Sequence, residues 1–195
     1  MIPEHVLEQI GNITGSVYTD NTTRQSHGLD WTRFYEPDPS AVAFPRTTQE
    51  VSDLVRLANE HNFGLVPSGG RTGLSGGAVA NNKELVVSFD KMNKILEFDP
   101  IDFSIRVEAG VVTKPLQEYA KTKGLYYPVD FASSGSSQIG GNIATNAGGI
   151  KVLRYGLTRD WVSGLKVVTG RGDVLELNKG LIKNATGYDL RHLYI

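Results

Sequence analysis

The chain has 195 residues, a length that can bury a full hydrophobic core in one domain or in one domain with two lobes. Its 20 lysines and arginines nearly balance its 21 aspartates and glutamates, so it offers no broad basic surface to a nucleic-acid backbone or an anionic membrane. It contains no cysteine, which excludes disulfides, thiolate metal sites and a cysteinyl link to a cofactor within these residues. No apolar run reaches membrane-spanning length, and the first residues have neither signal-peptide nor transit-peptide character. We therefore expect no nucleic-acid partner, no transmembrane segment and a cytoplasmic location.

The first 36 residues predict a helical segment that precedes the main domain. Residues 3–13 carry single apolar residues at helical spacing. A polar and aromatic stretch with Trp31, Phe34 and Tyr35 follows, and prolines at 37 and 39 disfavour helix there. These aromatic side chains could stack on an aromatic ligand, but we expect them to pack against the domain.

The next residues predict a strand, a helix and a second strand. Residues 41–45 are apolar and predict the first strand. Thr47 and Glu50 have the spacing of a capping box and predict the start of a helix that ends at Gly64. Residues 65–67 predict the second strand, and strands joined through a helix pair in parallel.

The rest of the chain predicts more strand than helix. Residues 84–89, 95–99 and 104–108 are rich in β-branched residues and are separated by turn residues. A helix is predicted over 113–123, and a hairpin over 165–177 with its turn at 170–173. Strands and helices together predict an α+β fold.

A glycine-rich segment follows the strand predicted at 65–67. Residues 67–77 read Pro-Ser-Gly-Gly-Arg-Thr-Gly-Leu-Ser-Gly-Gly, with five glycines in nine positions. Glycine permits positive φ angles and lets backbone N–H groups approach a ligand closely. A loop of this kind after a strand is typical of a phosphate site, although a tight turn without a ligand is the alternative. The P-loop and Rossmann patterns are both missing, so a phosphate cradle here is of another type.

A second segment, 128–149, consists mainly of serine, glycine, alanine and asparagine. It offers many hydrogen-bonding groups and little bulk, so a wide, flat ligand could lie against it. A flexible linker is the alternative, but Ile139, Ile143 and Ala144 are poor choices for a solvated linker.

These two segments, followed by Leu-Ile-Lys-Asn-Ala-Thr-Gly-Tyr-Asp-Leu at 181–190, resemble the FAD-binding domain of the vanillyl-alcohol oxidase and p-cresol methylhydroxylase superfamily. Within it the chain is similar to D-lactate dehydrogenases, glycolate oxidase flavoprotein subunits and D-2-hydroxyglutarate dehydrogenases. The resemblance covers nearly the whole chain. It implies an α+β, two-lobed FAD-binding domain of p-cresol methylhydroxylase type over 37–195, with a small parallel α/β lobe over 37–90 and a larger mixed-sheet lobe over 91–195.

The resemblance also implies which residues contact FAD. The first segment would be the pyrophosphate loop, with contacts from Ser68, Gly69, Gly70, Arg71, Thr72, Gly73 and Leu74, and with Gly76 and Gly77 shaping its exit. The second segment would wrap the rest of the cofactor through Pro128, Asp130, Ser134, Ser137, Gly140, Gly141, Asn142, Thr145, Asn146, Gly148 and Gly149. Relatives with a covalently held flavin often carry histidine where this chain has Arg71, so the resemblance implies noncovalent FAD.

The chemistry that the resemblance implies is oxidation of a D-2-hydroxy acid, of the D-lactate, glycolate or D-2-hydroxyglutarate type, to the 2-oxo acid. Electrons would pass to a quinone, a cytochrome or another acceptor. The family pattern continues after residue 195 with a further flavin loop and a cap domain that binds substrate and metal. We therefore expect the 195 residues alone to be inactive, and we name no catalytic residue.

Two alternatives remain open at this point. The chain could be a noncatalytic FAD-binding module or a subunit completed by a partner chain. The same fold could also act on another substrate, by oxidising an amine, a sugar or a phenol or by reducing an enolpyruvyl group. The four histidines are not at metal-ligand spacing, and we expect no metal site within the chain.

Overall fold

The computed structural model describes residues 1–32, 34–181 and 183–195. The chain divides into two compact units. The first comprises Met1–Met92 and Val168–Val174, and the second comprises Asn93–Val167 and Leu175–Ile195. Helices occur together with both parallel and antiparallel strand pairs, and this confirms the predicted α+β fold class.

A four-stranded sheet forms the centre of the first unit. Its strands are β1 (Val17–Tyr18), β2 (Ala41–Ala43), β3 (Leu65–Ser68) and β4 (Leu85–Ser88), in the order β1-β2-β4-β3. Strand β4 lies between β2 and β3 and pairs in parallel with both. The expected direct pair of β2 with β3 was therefore wrong, because the later strand β4 is inserted between them. Every residue of β4 is buried, as expected for an interior strand of a parallel sheet. Strand β1 is antiparallel to β2 at one edge.

The α-helices described in the first unit are α1 (Glu4–Thr14), α2 (Asn21–His27) and α3 (Thr48–His61). The apolar faces of α1 and α3 pack on the sheet, where Val6 and Ile10 meet Leu54 and the strand residues Leu85 and Ala43. These five side chains are fully buried, and burying a valine or leucine side chain contributes about 1.5–3 kcal/mol to folding.

Local chemistry sets both ends of α3. Thr47 Oγ1 accepts a hydrogen bond of 3.2 Å from the backbone N–H of Glu50, so the N-cap predicted at Thr47 is confirmed. The predicted end at Gly64 was wrong, because Asn62 takes a left-handed φ of 53° and its N–H bonds to the carbonyl of Ala58. Asparagine tolerates this conformation better than other non-glycine residues, and the helix therefore ends at His61.

The second unit consists of hairpins and short helices. Its elements are the antiparallel pair β5 (Ile95–Asp99) and β6 (Ser104–Val107), followed by α4 (Thr113–Thr122), α5 (Ile139–Ala144) and α6 (Val152–Tyr155). Its core contains Val111, Leu116 and Ile139. Strands β7 (Leu165–Val168) and β8 (Val174–Leu177) form the predicted hairpin, whose tip groups with the first unit.

The structure differs from the sequence prediction in two further places. Helix α2 was missed because it has no buried residue and therefore no apolar periodicity to detect. The aromatic side chains expected to pack against the domain are instead 53% exposed at Trp31, 88% at Phe34 and 56% at Tyr35. In the described parts of the chain, no helix is both long enough and apolar enough to cross a bilayer.

Candidate functional site

Strand topology positions the first glycine loop. Ser68 ends β3 and Ser88 ends β4, and these two residues are register partners in the parallel pair. The chain after each strand therefore emerges at the same edge of the sheet. The glycine-rich segment leaves from β3, while a 3-10 turn over Phe89–Lys91 leaves from β4 and carries Asp90.

The first loop contains residues with and without access to solvent. Ser68 is buried, Gly69, Gly70, Arg71, Thr72 and Gly76 are half-buried, and Gly73, Leu74 and Gly77 are exposed. The Ser68 hydroxyl donates to the carbonyl of His27 over 3.2 Å, so this hydrogen bond fixes the start of the loop to the end of α2. A Cβ added at Gly77 would meet no atom within 4 Å, so the loop has an open face at its exit.

Residues before β2 support the same loop. The backbone N–H of Trp31 donates to the carbonyl of Gly73, and that of Ala80 donates to the carbonyl of Gly28, each over 2.9 Å. Asp30 is buried, and its Oδ1 accepts from the N–H of Thr32 over 2.8 Å. The sequence prediction had assigned residues 1–36 to a segment preceding the FAD-binding domain, and it did not foresee these contacts.

Arg71 directs its guanidinium into the protein. One terminal nitrogen donates to the carbonyl of Gly69 over 2.9 Å, and both terminal nitrogens lie 3.3–3.4 Å from Oδ2 of Asp90. The same carboxylate oxygen lies 3.3 Å from Nε2 of His27. Sequence reasoning named neither Asp90 nor His27. The usable signal for Asp90 was its position after a strand that is parallel to the strand feeding the glycine loop.

The second segment also combines buried and open positions. Pro128, Ser137 and Asn142 are buried, Asp130, Ser134, Gly140, Asn146 and Gly149 are half-buried, and Gly141, Thr145 and Gly148 are exposed. Ser137 Oγ lies 2.9 Å from Thr113 Oγ1, which also accepts a 2.8 Å hydrogen bond from Asn142 Nδ2. These two predicted contact residues therefore use their side chains to fix the segment to the start of α4.

Helix α5 is a feature that the glycine-rich composition concealed. A Cβ added at Gly140 would lie 2.8 Å from Cβ of Ala109, so close packing requires glycine there. A Cβ added at the adjacent Gly141 would meet nothing within 4 Å. Beyond the helix, Asn146 takes a positive φ of 44°, and its Oδ1 accepts a 3.0 Å hydrogen bond from the N–H of Arg159.

Residues 149–151 fold back onto Asp130. A Cβ at Gly149 would overlap the carbonyl oxygen of Asp130, which accepts from the N–H of Ile150 over 3.1 Å. The Asp130 carboxylate bonds to Nζ of Lys151 over 2.9 Å. Hydrogen bonds to the Tyr126 hydroxyl and to Asp130 raise the pKa of the Lys151 ammonium. Because Lys151 offsets the charge of Asp130, this carboxylate need not repel an anionic ligand.

The third motif, at 181–190, is mostly exposed, and its Ile182 lies outside the described residues. Asn184 Nδ2 donates to Oδ1 of Asn178 over 3.0 Å, which ties the motif to the end of β8. Among the residues that the structure describes, no three histidine, aspartate or glutamate side chains lie close enough together to hold a metal ion.

Each segment by itself fits part of a large anionic cofactor. The first offers a glycine-rich turn with left-handed residues Arg71 and Gly76, a geometry that lets successive backbone N–H groups converge on a phosphate. The second offers an open glycine face at Gly141 beside small polar residues.

Comparison with known proteins agrees with this fit. The FAD binding domain family matches residues 39–178. The chain belongs to this family. Among relatives of this FAD binding domain, the D-2-hydroxyglutarate dehydrogenase of Stutzerimonas stutzeri (strain A1501) is 64% identical over 181 residues, which are 93% of this chain and 39% of that protein. The glycolate oxidase subunit GlcD of Bacillus subtilis (strain 168) is 40% identical over an alignment of 197 positions that covers 100% of this chain and 42% of that protein.

Solved structures support the same fold. An alkyldihydroxyacetonephosphate synthase matches with a TM-score of 0.86 at 21% identity, covering 100% of this chain and 36% of the other. p-Cresol methylhydroxylase matches with a TM-score of 0.80 at 22% identity, covering 97% and 40%. These likenesses confirm the predicted p-cresol methylhydroxylase type of FAD-binding fold. The chain spans 39% and 42% of the length of the two relatives named above.

The contrast between Gly140 and Gly141 gives a stability prediction. Gly140→Ala places a methyl group against Ala109, and we expect it to lower the free energy of unfolding by about 1–3 kcal/mol. Gly141→Ala points into open space within a helix, and we expect no loss, or a gain of about 0.5 kcal/mol. Urea denaturation followed by circular dichroism measures both variants, and equal effects would contradict the packing role of Gly140.

Proposed function

We propose that the protein containing this chain is an FAD-dependent oxidoreductase that converts a D-2-hydroxy acid to the 2-oxo acid, with D-2-hydroxyglutarate as the first candidate substrate. The observation that carries this proposal is the 64% identity over 93% of the chain to a D-2-hydroxyglutarate dehydrogenase. A second protein of that name, from Xanthomonas citri pv. viticola (strain LMG 965 / NCPPB 2475 / ICMP 3867 / CFBP 7660), is 55% identical over 177 residues.

In this proposal the two glycine-rich segments each contact FAD. Backbone N–H groups of Gly69, Gly70, Thr72 and Gly73 bind the diphosphate, since hydrogen bonds to a charged group contribute about 1.5–3 kcal/mol each and require no cluster of lysines. The exposed residues near Gly141 contact the rest of the cofactor. The half-buried and exposed positions of these residues support the assignment.

When bound, FAD supplies the two-electron acceptor that amino-acid side chains lack. Oxidation of the hydroxy acid removes a hydride from the α-carbon and a proton from the hydroxyl group, and a base must accept that proton. We assign no residue of this chain to that role. The residues of this chain bind and orient the cofactor. The electrons then pass to a quinone, a cytochrome or another acceptor.

A second candidate function is glycolate or D-lactate oxidation by a subunit that a partner chain completes. The 40% identity over the whole chain to a protein named as a glycolate oxidase subunit favours this alternative. The cytoplasmic location expected from the sequence stays a prediction.

We propose that FAD is held without a covalent bond. The chain has no cysteine, and the residue after the paired glycines of the first loop is Arg71, whose guanidinium faces Asp90. Acid precipitation of the purified yellow protein should release all flavin absorbance into the supernatant. Flavin that stays in the washed pellet would show a covalent link.

The substrate proposal is tested by bleaching of the flavin absorbance under anaerobic conditions. D-2-Hydroxyglutarate should bleach the oxidised flavin band in a single stoichiometric addition, while L-2-hydroxyglutarate should not. Glycolate and D-lactate are compared in the same assay. Faster bleaching by either of them would favour the second candidate. Bleaching by none of D-2-hydroxyglutarate, glycolate and D-lactate would contradict the proposed reaction class.

The role of the second segment is tested by Gly141→Val. Its side chain would enter the open space at Gly141, so we expect at least a tenfold drop in FAD affinity, equivalent to about 1.4 kcal/mol, with the helical circular dichroism signal retained. Gly170→Val is the matched control, because a Cβ there also meets no atom within 4 Å but lies outside both glycine-rich segments. Equal FAD occupancy in both variants would remove Gly141 from the cofactor site.

A further inference from the structure

Arg71 has an unusual backbone conformation for its residue type. Its φ of 57° lies in the left-handed region, which favours glycine and is unfavourable for residues with a Cβ. The loop already contains five glycines in nine positions, yet arginine occupies this left-handed position. A residue with a Cβ keeps such a conformation where interactions with its surroundings offset the cost, and the arginine side chain supplies an interaction of this kind.

The contacts of the guanidinium identify that interaction. Its hydrogen bond to the Gly69 carbonyl spans the turn that Arg71 itself belongs to. Its contacts of 3.3–3.4 Å with the Asp90 carboxylate join the loop to the chain that leaves β4. The Arg71 and Asp90 side chains are only 24% and 30% exposed, so solvent screens this pair less than a pair at the open surface.

Asp90 is itself held in place from two directions. Its backbone N–H donates to Oγ of Ser88 over 3.4 Å, and its carboxylate contacts Nε2 of His27 over 3.3 Å. The ring of His27 packs edge-on against Phe44 with 5.1 Å between centroids. The carboxylate that faces Arg71 is therefore anchored to both α2 and the end of β4.

We propose that Arg71 is a positioning residue for FAD and does not itself contact the diphosphate. The Asp90 carboxylate holds Arg71 in its left-handed conformation, and this conformation orients the backbone N–H groups of the loop toward the cofactor phosphates. The inference rests on the proposed FAD binding. It goes beyond that proposal by assigning a function to Asp90 and by separating the side-chain role of Arg71 from that of its backbone.

Direct contact and positioning predict opposite effects of removing the Asp90 charge. If the guanidinium bound the diphosphate, Asp90→Asn would free the arginine and remove a nearby negative charge, and FAD would bind as tightly as before or more tightly. If Arg71 positions the loop, Asp90→Asn weakens the contact that maintains the loop, and FAD binds less tightly.

Substitutions of Arg71 distinguish the two roles without altering Asp90. Arg71→Ala and Arg71→Gly both remove the guanidinium, so direct contact predicts that both variants lose FAD affinity. Only glycine adopts a φ near 57° without strain. Positioning therefore predicts that Arg71→Gly binds FAD nearly as tightly as the unaltered protein, while Arg71→Ala binds it less tightly.

The experiment measures the dissociation constant of FAD by titrating apoprotein and following flavin fluorescence, with thermal unfolding of each apoprotein as a check of folding. We expect Asp90→Asn to raise the constant about three- to tenfold, and Arg71→Ala to raise it more than Arg71→Gly. Asp53→Asn is the matched control, because it makes the same carboxylate-to-amide change on α3, where Asp53 bonds to Gln49. We expect it to leave the constant unchanged.

Unchanged or tighter binding in Asp90→Asn overturns the proposal, as does a marked loss of FAD affinity in Arg71→Gly. If Asp90→Asn does not fold, the comparison of the two Arg71 variants decides alone. Failure of the unaltered protein to bind FAD would overturn the proposed function itself, and that outcome is distinguishable because it appears before any substitution is compared.

Discussion

The parallel pairing of β3 with β4 is the constraint on which the first cofactor segment depends. β4 is buried along its whole length and is hydrogen-bonded on both sides, so its position is set by the core of the first unit. Because parallel strands end at the same edge, the register pair Ser68 and Ser88, with 19 residues between them, brings together the starts of two loops. The contact between Arg71 and Asp90 follows from this pairing.

The glycines of the two segments serve different purposes. Gly140 and Gly149 are required because neighbouring backbone or side-chain atoms occupy the space of a Cβ. Gly77 and Gly141 face open space, so no neighbouring atom of the described chain requires glycine at these two positions. Composition alone cannot separate these two groups, because the distinction depends on which atoms tertiary packing places beside each glycine.

In each glycine-rich segment, a charged side chain is paired with a nearby side chain of opposite charge. Asp130 is offset by Lys151, and the charge of Arg71 is offset by Asp90. A chain with nearly balanced acidic and basic residues can then bind an anion through oriented backbone N–H groups, whose partial charges do not change the net charge of the protein.

The sequence by itself determined the strand-helix-strand unit, the N-cap at Thr47, the two glycine-rich segments and the resemblance to FAD-binding domains, because apolar periodicity and glycine content are local properties. Only the tertiary structure decided which polar side chains are used internally, as with Ser137 and Asn142, and which residues support the first loop from elsewhere in the chain, as with His27 and Asp90. Helix α2 could not be predicted from the sequence either, since it lacks a buried face and therefore an apolar periodicity. The internal use of these side chains and the support of the first loop depend on contacts between residues distant in sequence, and a local pattern contains no record of such contacts.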